Sequence, residues 1–193
     1  MSFPDWFIQG GPVMWPLLLL SILVVTITTE RCWFWLNLLL HSKPHSLNHC
    51  LTLINTQQLQ QASTVVAKQR DPALIVLSTG LQAGSVDGLT AMEAEAKYQL
   101  DKMSSGQPLL DTIITLAPML GILGTVLGII DSFKAMRHAG VDNPTVVIGG
   151  IAQALTSTAA GLCVAMLALV VYSILRQLQY RQACHLETVV HRY

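Results

Sequence analysis

Charge is what this chain has least of. Of its 193 residues only 11% are Asp, Glu, Lys or Arg, the two signs are equal in number, and the formal net charge is zero. A soluble domain carries about 25% charged residues, so the deficit argues for a membrane protein. Neutrality leaves no electrostatic reason to expect a nucleic-acid partner. Cysteine is sparse as well: Cys32, Cys50, Cys163 and Cys184 include no CxxC pair, and they read as free thiols without disulfides. Alternating strand-like patterns are missing throughout. So are a Gly-rich phosphate loop, a nucleophile–base pattern and a zinc signature, so no enzyme, metal site or cofactor is expected.

What is present are long uncharged runs. Between Asp111 and Asp131 lie 19 residues without charge, and between Asp142 and Arg176 there are 33. At about 1.5 Å per helical residue, either can cross a hydrocarbon core of roughly 30 Å. A third run, from Trp6 to Thr29, has no positive leader and no small-residue cleavage site, so it is expected to be a retained first span rather than a signal peptide. The spans are expected at about 10–30, 109–133 and 145–175. Trp6, Trp15, Trp33 and Trp35 flank the first of them and fit an interfacial aromatic belt.

Lys and Arg set the expected orientation. If the N-terminus is outside, the inner segments 31–108 and 176–193 hold nine of them, and the outer segments only Lys134 and Arg137. That bias predicts N-out and C-in. The water-facing region 31–108 reads as a helical cytoplasmic stalk. Pro72 opens a helix through about Leu81, Gly84 and Gly88 punctuate it, and Leu89–Met103 is rich in helix formers. A loop over about Lys134 to Asn143 makes the last two spans an antiparallel hairpin, with Pro144 opening the third. The tail 176–193 can extend that helix on the inner side. The chain is thus expected to be one all-α integral membrane domain, residues 1–193.

The two C-terminal spans are studded with small and hydroxylated residues. Gly121, Gly124 and Gly128 on one, and Ala154, Ser157 and Gly161 on the other, are expected to pack helices closely. The segment LAPMLGILGTVLGIIDSF (Leu116 to Phe133), followed by GGIAQALTSTAAGL (Gly149 to Leu162), resembles the MotA/TolQ/ExbB proton channel family. Three spans with a short outer loop are most similar to ExbB or TolQ, since MotA-type stators have four spans.

The resemblance implies a homo-oligomeric ring, a pentamer in the ExbB-like members, in a bacterial inner membrane. The second and third spans would enclose single-span partner helices of the ExbD or TolR type, whose membrane aspartate carries protons. The motion would pass to a TonB- or TolA-like protein. Thr125 and Thr158 fall on the family's pore threonines. Gln153 falls where ExbB and TolQ usually carry a glutamate, so this chain has no titratable residue at mid-span, and any relay depends on the partner's aspartate.

Each residue has a plainer reading beside this one. Taken alone, both threonines read more simply as hydroxyls bonded to their own helix; the surrounding motif puts the pore reading ahead. Gln153 needs partners for its amide and is expected to point inward, to a pore or a subunit contact. His41, His45, His49 and Cys50 have metal-like spacing, but Pro44 breaks a helix between the first two, and the plain reading leads. Glu30–Arg31 reads as an interfacial pair with Arg31 snorkelling to headgroups. The rival overall functions are a structural membrane scaffold without conduction and a gliding-type motor stator. A small-solute transporter would show matched broken helices, and none is found.

Overall fold

The computed structural model describes residues 10–41, 71–139 and 144–191. Regular structure among them is helical, in four elements: α1 (Met14–His41), α2 (Pro72–Ser104), α3 (Gln107–Ala139) and α4 (Pro144–His191). Three helical stretches are long and apolar enough to cross a membrane, within Met14–Leu38, Asp87–Arg137 and Ile148–His191. The expected spans overlap α1, α3 and α4, and the chain is an all-α, multi-pass membrane protein. It groups into two compact units, one of Met1–Thr29 with Gly106–Ser173, the other of Glu30–Ser105 with Ile174–Tyr193.

In the first unit, hydroxyls inside the apolar runs are satisfied locally. Thr26 and Thr29 each donate to the carbonyl four residues back at 2.8 Å, and Thr28 does so at 2.6 Å, which hides a polar group where water is absent. The buried side chains include Val13 just before α1, Leu17, Val24 and Ile27 of α1, Leu110, Ile113, Ala117 and Ser132 of α3, and Ala154, Ser157, Ala165 and Ala168 of α4. The α4 contribution is nearly all alanine and serine, so its helix approaches closely. Large residues point the other way. Leu19, Ile22, Met119, Ile122, Leu155, Met166 and Leu167 are exposed, an apolar exterior that only lipid or another protein can cover.

The second unit has its own core of Ala73, Leu74, Val76, Leu77 and Met92 with Leu186 and Val189. Asp71 caps α2, its side chain accepting from the Ala73 N–H at 3.1 Å, with Pro72 in the first helical position, where its missing N–H costs nothing. The helix breaks at Gly84, whose φ of 81° is a left-handed conformation natural to glycine. Gly88, expected to break the pattern as well, stays helical. Gly106 (φ 83°) separates α2 from α3.

Three expectations shift. Trp35 does not join an aromatic belt: it is 4% exposed and sits edge-on to Phe34 at 6.1 Å between centroids, whereas Trp15 and Trp33 are exposed. Trp6 lies outside the described residues. Arg31 does not snorkel outward. It is 6% exposed, and its guanidinium donates to Glu30 Oε1 at 2.8 Å and to the Lys102 carbonyl at 3.3 Å. That carbonyl belongs to the last turn of α2, where unpaired acceptors and the negative end of the helix dipole favour a cation over open headgroups. Third, α3 runs to Ala139, which shortens the expected Lys134–Asn143 loop. Lys134 instead pairs with Asp131 within the helix at 3.3 Å. His45, His49 and Cys50 lie outside the described residues, as does the side chain of His41.

Candidate functional site

The antiparallel pair α3 and α4 meets along a ladder of small residues. From one end of the contact to the other, α3 presents Ala117, Gly121, Gly124, Gly128 and Ser132. α4 answers with Gly161, Thr158, Ser157, Ala154 and Gly150. The α3 positions step by four, three, four and four residues, which keeps one face of a 3.6-residue helix turned to its neighbour.

The ladder leaves little room for added atoms. A Cβ built on Gly161 would lie 2.6 Å from the Ala117 carbonyl oxygen and 3.1 Å from the Gly121 Cα, and one on Gly124 would lie 2.6 Å from the Ser157 Cβ. A Cβ on Gly128 would touch the Ala154 Cβ at 3.0 Å and the Gly150 carbonyl at 3.1 Å. By contrast, Gly149 has open space around it. The close contacts of Gly121, Gly124, Gly128 and Gly161 are therefore made inside one chain, between its own two helices.

The hydroxyls divide. Ser157 is fully buried and donates to the Ala154 carbonyl at 2.8 Å, and buried Ser132 donates to the Gly128 carbonyl at 2.7 Å. Thr125 donates to the Ile122 carbonyl at 2.6 Å, back onto its own helix. Thr158 does not bond back to its own helix. Its hydroxyl crosses to α3 and donates to the Gly121 carbonyl at 2.9 Å. Gln153, half-buried, lays its amide against Gly11, whose φ of 72° forms the turn before α1. Val13 reaches the same seam, 3.5 Å from a Cβ placed on Gly124. The start of the first span thus closes onto the ladder beside Ser157.

Thr125 also borders an apolar cavity of about 260 Å³, shared with Ile129, Phe133, Ile151 and Leu155. Phe133 and Leu155 are exposed at its rim. Ser132 and Gly150 lie outside the site expected from the sequence. The signal available was spacing, since Ser132 stands four residues after Gly128 and so continues the same face. No carboxylate lies within either charge-free run. Among the described residues, no three His, Cys, Asp or Glu side chains gather as a metal would require.

These features define a multi-pass helical membrane protein whose second and third spans form a tight hairpin with a neutral, hydroxyl-bearing face. Residues 56–188 match the MotA/TolQ/ExbB proton channel family, and the chain belongs to that family. It is 39% identical over 185 residues to a Synechocystis protein named biopolymer transport protein ExbB-like 1, covering 92% of this chain and 72% of that one. It is 33% identical to the ExbB-like 3 protein of the same organism, over 90% of this chain and 84% of the relative. With the biopolymer transport protein exbB1 of Vibrio cholerae it shares 32% identity, over 82% and 72%.

Proposed function

We propose that this chain is a proton-channel, stator-type subunit of an inner-membrane complex that uses the proton-motive force to drive TonB- or Tol-dependent work at the outer membrane. It lies N-out and C-in, and copies of it assemble into a ring, five in the ExbB-like arrangement. The ring holds single-span partners of the ExbD or TolR type and hands motion to a TonB- or TolA-like protein. Family membership and the biopolymer-transport names of the relatives support this reading.

The observation that carries it furthest is the neutrality of the hairpin. A helix pair that supplies hydroxyls and an amide but no acid can solvate a passing proton carrier, and cannot itself be the carrier. In this reading Thr125, Thr158 and Gln153 face the path and the partner's aspartate titrates. The Thr125 cavity, apolar and rimmed by exposed Phe133 and Leu155, suits contact with a partner helix. Gly121, Gly124, Gly128, Ala154, Ser157 and Gly161 hold the hairpin rigid beside that path.

A scaffold without conduction is the second reading, favoured by one detail: the Thr125 hydroxyl is already spent on the Ile122 carbonyl. Complementation separates the two. In cells lacking the native subunit, the chain expressed with its single-span partner restores proton-motive-force-dependent uptake or envelope integrity. A partner whose membrane aspartate is changed to Asn abolishes that restoration without loss of co-purification. Restoration by the Asn partner would favour the scaffold.

A further inference from the structure

The second unit contains a cavity that the conduction reading does not use. It has about 370 Å³, with Phe34, Leu38, Ile75 and Met103 on its apolar side and Gln99 and Lys102 on its polar side. Arg31 stands against two of these walls. Its guanidinium carbon lies 5.3 Å from the centre of the Phe34 ring, and one of its nitrogens donates to the Lys102 carbonyl at 3.3 Å.

Arg31 is under-compensated. Its side chain is 8% exposed, its one carboxylate partner among the described residues is Glu30, itself 64% exposed, and its buried Nε has no acceptor. Apart from the Lys102 carbonyl at the end of α2, its compensation is one solvent-facing carboxylate, and a second anion would recover more of the cost of burying the charge. Of the carboxylates on α2 and at its cap, Glu95 accepts from the Gln99 amide at 2.7 Å and Asp71 from the Ala73 N–H at 3.1 Å, and neither these nor Asp101 forms an ion pair with the Lys102 ammonium among the described residues.

Depth in the membrane suggests what the anion is. Thr29 is the last residue of the first charge-free run, and Arg31 and Phe34 follow it by two and five residues. At 1.5 Å per residue these lie about 3 and 7.5 Å further along the axis, which matches a headgroup layer roughly 5–7 Å thick on each side of the hydrocarbon.

We propose that this cavity receives the phosphodiester headgroup of an anionic lipid from the leaflet facing residues 30–105. Lys102 meets the phosphate, Arg31 supplies charge from behind the Phe34 wall, and the glycerol and first methylenes lie on Leu38, Ile75 and Met103. Basic pockets between membrane helices on the cytoplasmic side are suited to such headgroups, and each Lys or Arg near the surface strengthens binding by about fivefold. The inference rests on the proposed inward placement of residues 30–105.

Native mass spectrometry of the purified full chain tests it, with phosphatidylglycerol and phosphatidylcholine of matched acyl chains as probes. Phosphatidylglycerol is expected to be retained at least about fivefold better, and Lys102→Gln to remove about that factor while leaving phosphatidylcholine unchanged and the protein folded. Lys102→Arg restores it. Equal retention of the two lipids, or phosphatidylglycerol binding indifferent to Lys102→Gln, overturns the proposal. Displacement of the lipid by millimolar inorganic phosphate at constant ionic strength also overturns it, assigning the site to a soluble anion. The assay needs no partner and no gradient, so a failed conduction reading leaves its result intact, and labelling of a cysteine at Ala94 checks the sidedness separately.

Discussion

The hydroxyl of Thr158 on α4 donates to the carbonyl of Gly121 on α3 at 2.9 Å, an interhelical bond in a seam otherwise closed by glycine, alanine and serine. Thr158→Val keeps the shape and removes the donor. Interhelical bonds in membranes average about 0.6 kcal/mol, so stability should fall by no more than about 1 kcal/mol and the complex should still form. Transport should fall much further, because the hydroxyl at that level of the proposed path is gone. Thermal unfolding in detergent and co-purification with the partner measure the first effect, and growth dependent on the proton-motive force measures the second.

Gly161 faces backbone, not a side chain that can swing away. Gly161→Leu should open the α3–α4 hairpin within each chain and cost at least about 1–3 kcal/mol. The same substitution at Gly149, where nothing lies within 4 Å, should cost little. From the sequence alone, bulk at Gly124 or Gly161 is expected to split an oligomer. The geometry moves the first damage inside the subunit. Helix-pair stability of the two variants, followed by circular dichroism against temperature, checks the contrast.

Gln153→Glu should be tolerated in assembly and activity, and Gln153→Ala should lose activity only in part. A lone carboxylate costs about 2.5–3.5 kcal/mol at the centre of a span on insertion scales and less toward its end; Gln153 packs beside Gly11, at the turn before α1, so the new acid should remain protonated there or find donors. Infrared absorption of a protonated carboxyl in the Glu variant, absent from the wild type, is the check.

Sidedness follows from the distribution of Lys and Arg. In a background without Cys32, Cys50, Cys163 and Cys184, a cysteine at Ala139 should react with an impermeant maleimide from outside, and one at Ala94 only after the inner side is opened. The reverse pattern would overturn the orientation.

Much of this architecture could be read from the residues. The charge-free runs located α1, α3 and α4, Pro72 and Gly84 marked the start and the break of α2, and the small residues of the last two spans marked a close-packed seam. The faces were not legible. A helix apolar all round carries no period that says which side meets protein, so the sequence points Trp35 and Arg31 outward when both turn inward. Glycine spacing likewise shows that something approaches closely without saying whether it is the same chain or another. Thr158 was placed by its motif, but its Gly121 acceptor depends on the register of α3 against α4, which one sequence does not contain.

In the proposed function, this chain conducts protons only together with an acid supplied by its partner. Proteoliposomes holding the chain and its single-span partner, under an imposed proton gradient, test it by the quenching of an enclosed pH dye. Proton flux is expected from the complex, none from the chain alone, and a loss of most of the flux in Thr125→Val/Thr158→Val with the complex still intact. Undiminished flux in the double variant, or equal flux from the chain alone, would contradict it.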